Sequence, residues 1–353
     1  MFMSDKSLAQ REASLSTLSS LIKTIDGKKV TLIGDTMLDR FHHGFANNLN
    51  STAPVPVLKV TRTEESAGAS AHIAIGLCSF GMNVSFHTCV GDDSDGESII
   101  QCLDAAGVKT GDIKIANKRS TLSKIRFYGS RESLLDREQI LLQADRGPTE
   151  DLPIEVSQIL TTNANNSLKD SCALIISDYD KGVVTFEGAQ TLIDSANKAG
   201  IPSIVDPKLT GLEKSRGATV VIFERRGLSL LARRLNTENE EDAAKLLIDD
   251  YSWDGMLVLG GINGLFLYQK DQDSIHYPCM APAAEQQIGM HDAAAASLAA
   301  SLGSGLPLYD AALLAAASCE CVLSASTSEE YIDRTTLSLW LDELSWQMRI
   351  SDR

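Results

Sequence analysis

A repeated rhythm constrains this chain more than any other feature: a short apolar run that ends in an acid or a glycine. "KVTLIGD", "NVSFHTCVGDD", "ALIISDYDKG", "IPSIVDPK", "TVVIFE" and "DGMLVLGG" all show it, starting at Lys29, Asn83, Ala173, Ile201, Thr219 and Asp254. Runs this short and this continuously apolar suit strands buried on both faces. Helix-like segments fall between them, at about 66–81, 94–106, 184–199 and 238–250. Strands alternating with helices predict βαβ units and an α/β fold whose largely parallel sheet is covered on both sides. Leucines at 8, 15, 18 and 21 give residues 7–25 an amphipathic helical spacing that stops at Gly27. Residues 1–27 therefore read as a lead-in, and 28–350 as a single domain.

Two stretches break the rhythm. Residues 51–62, "STAPVPVLKVTR", and 120–145 alternate polar and apolar with no helix after them. They predict antiparallel strands in an added flap. With 353 residues, 43% of them hydrophobic, the chain can bury a large core. A net charge of -15 and the absence of a basic stripe argue against nucleic acid and anionic membrane as partners. No apolar run reaches the ~18 residues of a membrane span, and the N-terminus lacks an apolar signal segment. Seven scattered cysteines, of which only Cys319 and Cys321 are close, suit free thiols in a reducing cytosol and imply no structural metal. The expected location is cytoplasmic.

In open α/β sheets ligands sit beyond the carboxyl ends of the strands. Polar residues gather at those ends here: Asp35 and Asp39, Asp92 and Asp93, Asp178 and Lys181, Asp206 and Lys208. Singly, each serves equally well as a helix cap or turn former. Jointly they form a polar rim suited to a small polar ligand. The stretch "QIGMHDAAAAS", residues 287–297, adds a helix start near Asp292, from which alanines carry a helix to Leu302. Unpaired N–H groups at such a start attract anions, although Met290 and His291 are bulky for a phosphate cradle.

Taken together, these segments resemble the ribokinase-like (phosphofructokinase-B type) sugar kinases, and within them the heptose 7-phosphate kinases. "GKKVTLIGDTMLDRFHHG", "STAPVPVLKV", "SAGASAHIAIGLCSFGMNV", "ISDYDKGVV" and "VDPKLTGLEKSRGAT" carry the likeness, which extends from about Leu21 to Leu344. G-D-x-M-L-D-R followed by A-P-V-P-V points to the heptose branch. The resemblance implies a doubly wound, mostly parallel sheet with a small antiparallel β-lid formed by 51–62 and 120–145. It also implies a homodimer clasped through the lid, and ATP with Mg²⁺ acting on the anomeric hydroxyl of a heptose 7-phosphate. Sugar recognition would fall on Asp35, Asp39, Gly68, Ala69 and His72, with Asp178 and Lys181 on the same rim and Lys124 and Arg126 meeting the 7-phosphate. Asp292 would be the general base, and Gly289, Met290 and His291 the anion hole. Lys208, Glu224, Gly261 and Gly264 would border the nucleotide. Many members of the heptose branch continue into a nucleotidylyltransferase domain; no H-x-G-H motif occurs here, and the expectation is a kinase domain without one.

Three departures stand against the resemblance. The family's G-A-G-D becomes Gly289-Met290-His291-Asp292, so a side chain replaces the second glycine. His291 either crowds the phosphate, supplies it with a cation, or packs aside or faces solvent. The family's N-x-x-E aligns with Glu224 and Gly227, which moves the carboxylate from the last position to the first. "AAASCECVLS" places Cys319 and Glu320 in the adenine-side helix. The sequence thus supports a working sugar kinase and, alternatively, a pseudokinase that binds a sugar phosphate or a protein partner without phosphoryl transfer. An unrelated α/β binder is the third reading.

Overall fold

The structure is a computed structural model that describes residues 5–130, 138–148, 150–281, 288–325 and 332–351. Its strands are β1 (Lys29–Gly34), β2 (Thr36–Leu49), β3 (Pro56–Ala69), β4 (Asn83–His87), β5 (Cys89–Gly91), β6 (Lys114–Ala116), β7 (Ser123–Ser130), β8 (Gln139–Arg146), β9 (Ala173–Ser177), β10 (Ser203–Asp206), β11 (Val220–Glu224), β12 (Gly255–Leu259), β13 (Leu265–Gln269) and β14 (Ile275–Tyr277). The helices are α1 (Asp5–Thr24), α2 (Ser70–Ser79), α3 (Ser94–Ala105), α4 (Ile154–Ser167), α5 (Phe186–Ala199), α6 (Arg225–Leu235), α7 (Glu240–Tyr251), α8 (Met290–Leu302), α9 (Leu308–Ser324) and α10 (Arg334–Ser351).

Eight strands form the central sheet in the order β14-β13-β12-β11-β10-β9-β1-β4. From β12 to β4 every neighbouring pair is parallel, and β13 and β14 close one edge antiparallel. The chain leaves β1 toward β4 and later returns to β9 on the other side, so the strand order reverses between β1 and β9. Doubly wound sheets open their ligand crevice beside such a reversal. One core fills each face. Leu15, Leu18 and Ile22 of α1 join α2, α8 and α9 on one side, while α4, α5, α6 and α7 cover the other. The helix anticipated at the N-terminus is therefore part of a domain core. Among the described residues, no helix is long and apolar enough to cross a membrane.

α8 and α9 explain the alanine runs. Almost every residue of α8 is buried, and a helix that is apolar all round belongs inside a protein. Its small side chains pass close to α2, where an added Cβ on Gly76 would lie 3.8 Å from Ala296 Cβ. Glu320 of α9 is no ligand group on the nucleotide side. It is buried, and it accepts hydrogen bonds from Met280 N–H at 3.0 Å and Trp340 Nε1 at 2.6 Å, tying α9 to α10. Cys319 is buried beneath α8, and its thiol donates to Met290 O at 3.5 Å.

The flap exists, but its composition differs from the sequence expectation. It is a four-stranded sheet in the order β3-β2-β7-β8. β2, over residues 36–49, adds a strand that neither an apolar run nor a two-residue alternation marks in the sequence. β2 pairs antiparallel with β3 but parallel with β7, so the lid is mixed. Residues 51–55 precede the strand, which starts at Pro56 and runs on to Ala69, and the helix expected from residue 66 begins only at Ser70. At its root β2 is buried on both faces, with Met37, Leu38, Asp39 and Phe41 all enclosed, so no two-residue alternation betrays it. Part of the 120–145 stretch, residues 131–137, lies outside the described residues.

Candidate active site

Two clefts open at the carboxyl ends of the central strands and share a wall. The first, of about 370 Å³, lies under the lid. Asp39, Lys124 and Arg126 reach it from the lid, Asp206 and Glu224 from the strand ends, and Asp292 from the start of α8. Lys124 and Arg126 are two apart on β7, so the pleat points both toward the same face. Arg126 Nη1 donates to Asp39 Oδ1 at 2.6 Å, and its guanidinium lies 5.3 Å from the centre of the Phe41 ring. The second cleft, of about 730 Å³, runs between α6 and the turn at Gly260 and Gly261. Glu224, Met290 and His291 line both.

Asp292 sits in the first turn of α8, where the helix leaves the N–H groups of Met290, His291 and Asp292 without intrahelical acceptors. Gly289 precedes it with φ +93°, and a Cβ there would stand 2.9 Å from His72 Cε1. Both facts require glycine. His72 Nδ1 lies 3.2 Å from Asp292 Oδ2, while Asp292 Oδ1 is buried and has no hydrogen-bond partner among the described residues. One oxygen is thus oriented from behind, and the other is left to accept a proton. Ala69, on the cleft wall, adopts φ 55° and ψ -131°, a region that alanine enters only at a cost of about 1–3 kcal/mol.

Other expected residues lie elsewhere. Asp35 does not line the first cleft: it follows β1, beside the point where the strand order reverses. Its carboxylate accepts N–H bonds from Tyr179 at 2.9 Å, Lys181 at 3.0 Å and Val183 at 3.2 Å. Asp178 pairs with Lys214 Nζ at 2.9 Å, and Lys181 is exposed outside the cleft. The alternative reading, a turn former, is the one the geometry supports for Asp35 and Asp178. Gly68 does not line the cleft, but it makes room for Asp39, because a Cβ there would fall 2.1 Å from Asp39 Oδ2. Gly264 shapes the turn behind the second cleft; its Cβ would meet Tyr277 O at 2.0 Å. Lys208 does line the first cleft, stacked 4.2 Å over the Tyr179 ring.

Tyr179 had no assigned role in the sequence reading, although it stands between two aspartates in "SDYDKG". It lines the first cleft, and burial, followed by the carboxylates of Asp292 and Asp206, holds its phenol pKa well above the ordinary 10. It is therefore a hydrogen-bond donor. His291 neither packs aside nor turns to solvent. Its Nδ1 lies 3.1 Å from Asp206 Oδ1 and its Nε2 lies 3.6 Å from Glu224 Oε1. Burial opposes its charge, but the two carboxylates outweigh burial and raise its pKa from 6.5 to about 10. An imidazolium held this way adds stability that is complete below pH 6.5 and fades as the pH climbs to about 10. Thermal melts should therefore show the parent's advantage over His291→Gln shrinking across that window. A constant difference would contradict the pairing.

The sequence matches the pfkB family carbohydrate kinases over residues 28–333. The chain belongs to this family. Among curated relatives, the bifunctional protein HldE of Actinobacillus pleuropneumoniae serotype 5b is 31% identical over 297 residues, covering 84% of this chain and 60% of the relative. HldE of Paramagnetospirillum magneticum is 31% identical over 334 residues, covering 94% and 67%. The chain thus spans only about 60% of the length of several such relatives. In fold it is similar to Escherichia coli phosphofructokinase-2 in complex with potassium, with a TM-score of 0.72 at 16% identity over 90% of this chain and 99% of that one. Arabidopsis thaliana ribokinase, solved with ribose and ATP, superposes with a TM-score of 0.68 at 16% identity, again over 90% and 99%.

The cofactors that a pfkB carbohydrate kinase implies fit this site unequally. A nucleotide's phosphates find the free N–H groups of α8 and an open cleft within the size range of ligand sites. A divalent ion finds poor support. The two carboxylates at the junction, Asp206 and Glu224, flank His291, and Gly227 contributes no side-chain oxygen. Among the described residues, no group of three or more His, Cys, Asp or Glu is placed to hold a metal.

Proposed function

We propose that this kinase domain transfers a phosphoryl group to the anomeric hydroxyl of a heptose 7-phosphate or a closely similar sugar phosphate. The observation that carries the reading is Asp292, which lines the cleft with Lys124, Arg126 and Lys208 and whose Oδ1 has no hydrogen-bond partner among the described residues. Asp39 accepts hydrogen bonds from sugar hydroxyls, and Lys124 and Arg126 take the existing phosphate. Asp292 accepts the proton of the attacking hydroxyl, and the N–H groups of Met290, His291 and Asp292 steady the charge on the group in transit. ATP, when bound, supplies that group. The G-D-x-M-L-D-R run supports the heptose assignment.

A specific observation favours a second reading, binding without transfer. Glu224 and the His291 side chain stand where the two clefts join, and the carboxylate repels an incoming phosphate. Incubating the purified chain with ATP, Mg²⁺ and heptose 7-phosphate, followed by ³¹P spectroscopy, decides between them. A sugar bisphosphate is the expected product. Sugar-phosphate binding with no transfer would leave the pseudokinase. We also place a homodimer contact on the lid, because β8 is exposed along its whole length and Ile140, Leu142, Val57 and Val60 present apolar surface at its two edges.

A further inference from the structure

The second cleft is far more cationic than the molecule that carries it. The chain's formal charge is -15, yet the charged groups lining this cleft are Arg225, Arg226, Arg233 and His291 against a single carboxylate, Glu224. Arg225 is engaged: it lies 3.1 Å from Glu240 and stacks 5.6 Å over the Phe266 ring. Arg226 and Arg233 are exposed and form no ion pair among the described residues. They are seven residues apart on α6, two helical turns, so they share a face, and Ser229 and Leu230 between them complete the stripe along the cleft. α6 also has no acid in its first turn and carries Arg225 and Arg226 at its positive end, an arrangement unfavourable to the helix itself. At the inner end of the cleft, His291 occupies the corner between Asp206 and Glu224.

We propose that the second cleft holds the polyphosphate chain of a nucleoside triphosphate through the side chains of Arg226 and Arg233, with no divalent cation bridging it to the protein. Guanidinium forks match phosphate oxygens in geometry and charge, and they are the cations left to a ligand here, because both ring nitrogens of His291 are committed to Asp206 and Glu224. Glu224, whose pKa is lowered first by its contact with His291, stays ionised and bound to that cation rather than free to recruit a metal. The inference rests on assigning this cleft to the donor. It does not require that transfer occurs.

Calorimetry of ATP binding to the full chain tests it without turnover, once in EDTA and once in excess Mg²⁺. Binding in EDTA should be at least as tight as in Mg²⁺. Arg226→Ala and Arg233→Ala should each weaken it about tenfold, and added salt should weaken it further. Both residues lie outside the core and the first cleft, so melting temperature and heptose 7-phosphate affinity should match the parent. ATP binding that requires Mg²⁺, arginine variants that bind as the parent does, or no ATP binding in either buffer would each overturn the proposal. If sugar phosphate still binds in that last case, the acceptor assignment stands, and the two failures are told apart.

Discussion

Asp292→Asn is expected to reduce phosphoryl transfer about 100-fold or more while leaving the fold and sugar-phosphate binding in place. The amide keeps the size of the carboxylate and can still face His72 across the 3.2 Å gap, but it cannot take a proton from the acceptor hydroxyl. General-base contributions are commonly ~10²–10⁴-fold. Steady-state rates with heptose 7-phosphate would show the loss in kcat. A variant as fast as the parent removes Asp292 from the chemistry, whatever the cleft binds.

Asp35→Ala is expected to fail in a different way. Three N–H groups, those of Tyr179, Lys181 and Val183, donate to this one carboxylate, and alanine leaves all three without an acceptor. Each orphaned buried donor costs about 1–3 kcal/mol, so the variant should lose on the order of 3 kcal/mol and melt roughly 5 °C or more below the parent. The loop it holds carries Tyr179 to the cleft wall, so ligand affinity should fall with stability. Asp35→Asn retains one acceptor oxygen and sheds a charge whose pKa burial already raises, so it should cost less. Asp39→Ala provides the contrast, since Asp39 faces the cleft and its loss should appear first in sugar-phosphate affinity. An Asp35→Ala chain as stable as the parent would show that the loop holds itself without the carboxylate.

The fold was legible because burial leaves a periodic trace. Continuous apolar runs at β1, β9 and β11 are what strands covered on both faces require, and the alanines of α8 and α9 are what helices packed between others require. The place of Asp292 was legible for a similarly local reason, since it falls three residues after the glycine that opens an alanine-rich helix. The lid strand β2 was not, because its root is enclosed on both sides and its outer half is polar, so neither pattern appears.

From sequence alone, then, this protein is determined to be a doubly wound α/β chain with its polar groups at the strand ends and a carboxylate in the first turn of an alanine-rich helix. Which of those polar groups faces a ligand was decided by tertiary structure. Asp35, Asp39 and Asp178 are alike in composition and setting, but a strand end specifies only where a side chain begins. What reaches it comes from elsewhere in the chain: the 179–183 loop for Asp35, Lys214 for Asp178, and Arg126 of the lid for Asp39. The same holds for His291. Its neighbours in sequence suggest an obstruction to phosphate, whereas Asp206, 85 residues away, and Glu224 make it a fixed cation. Charge and protonation depend on distances of a few ångströms through a low-dielectric interior, and those distances exist only once the strands that carry the partners lie side by side.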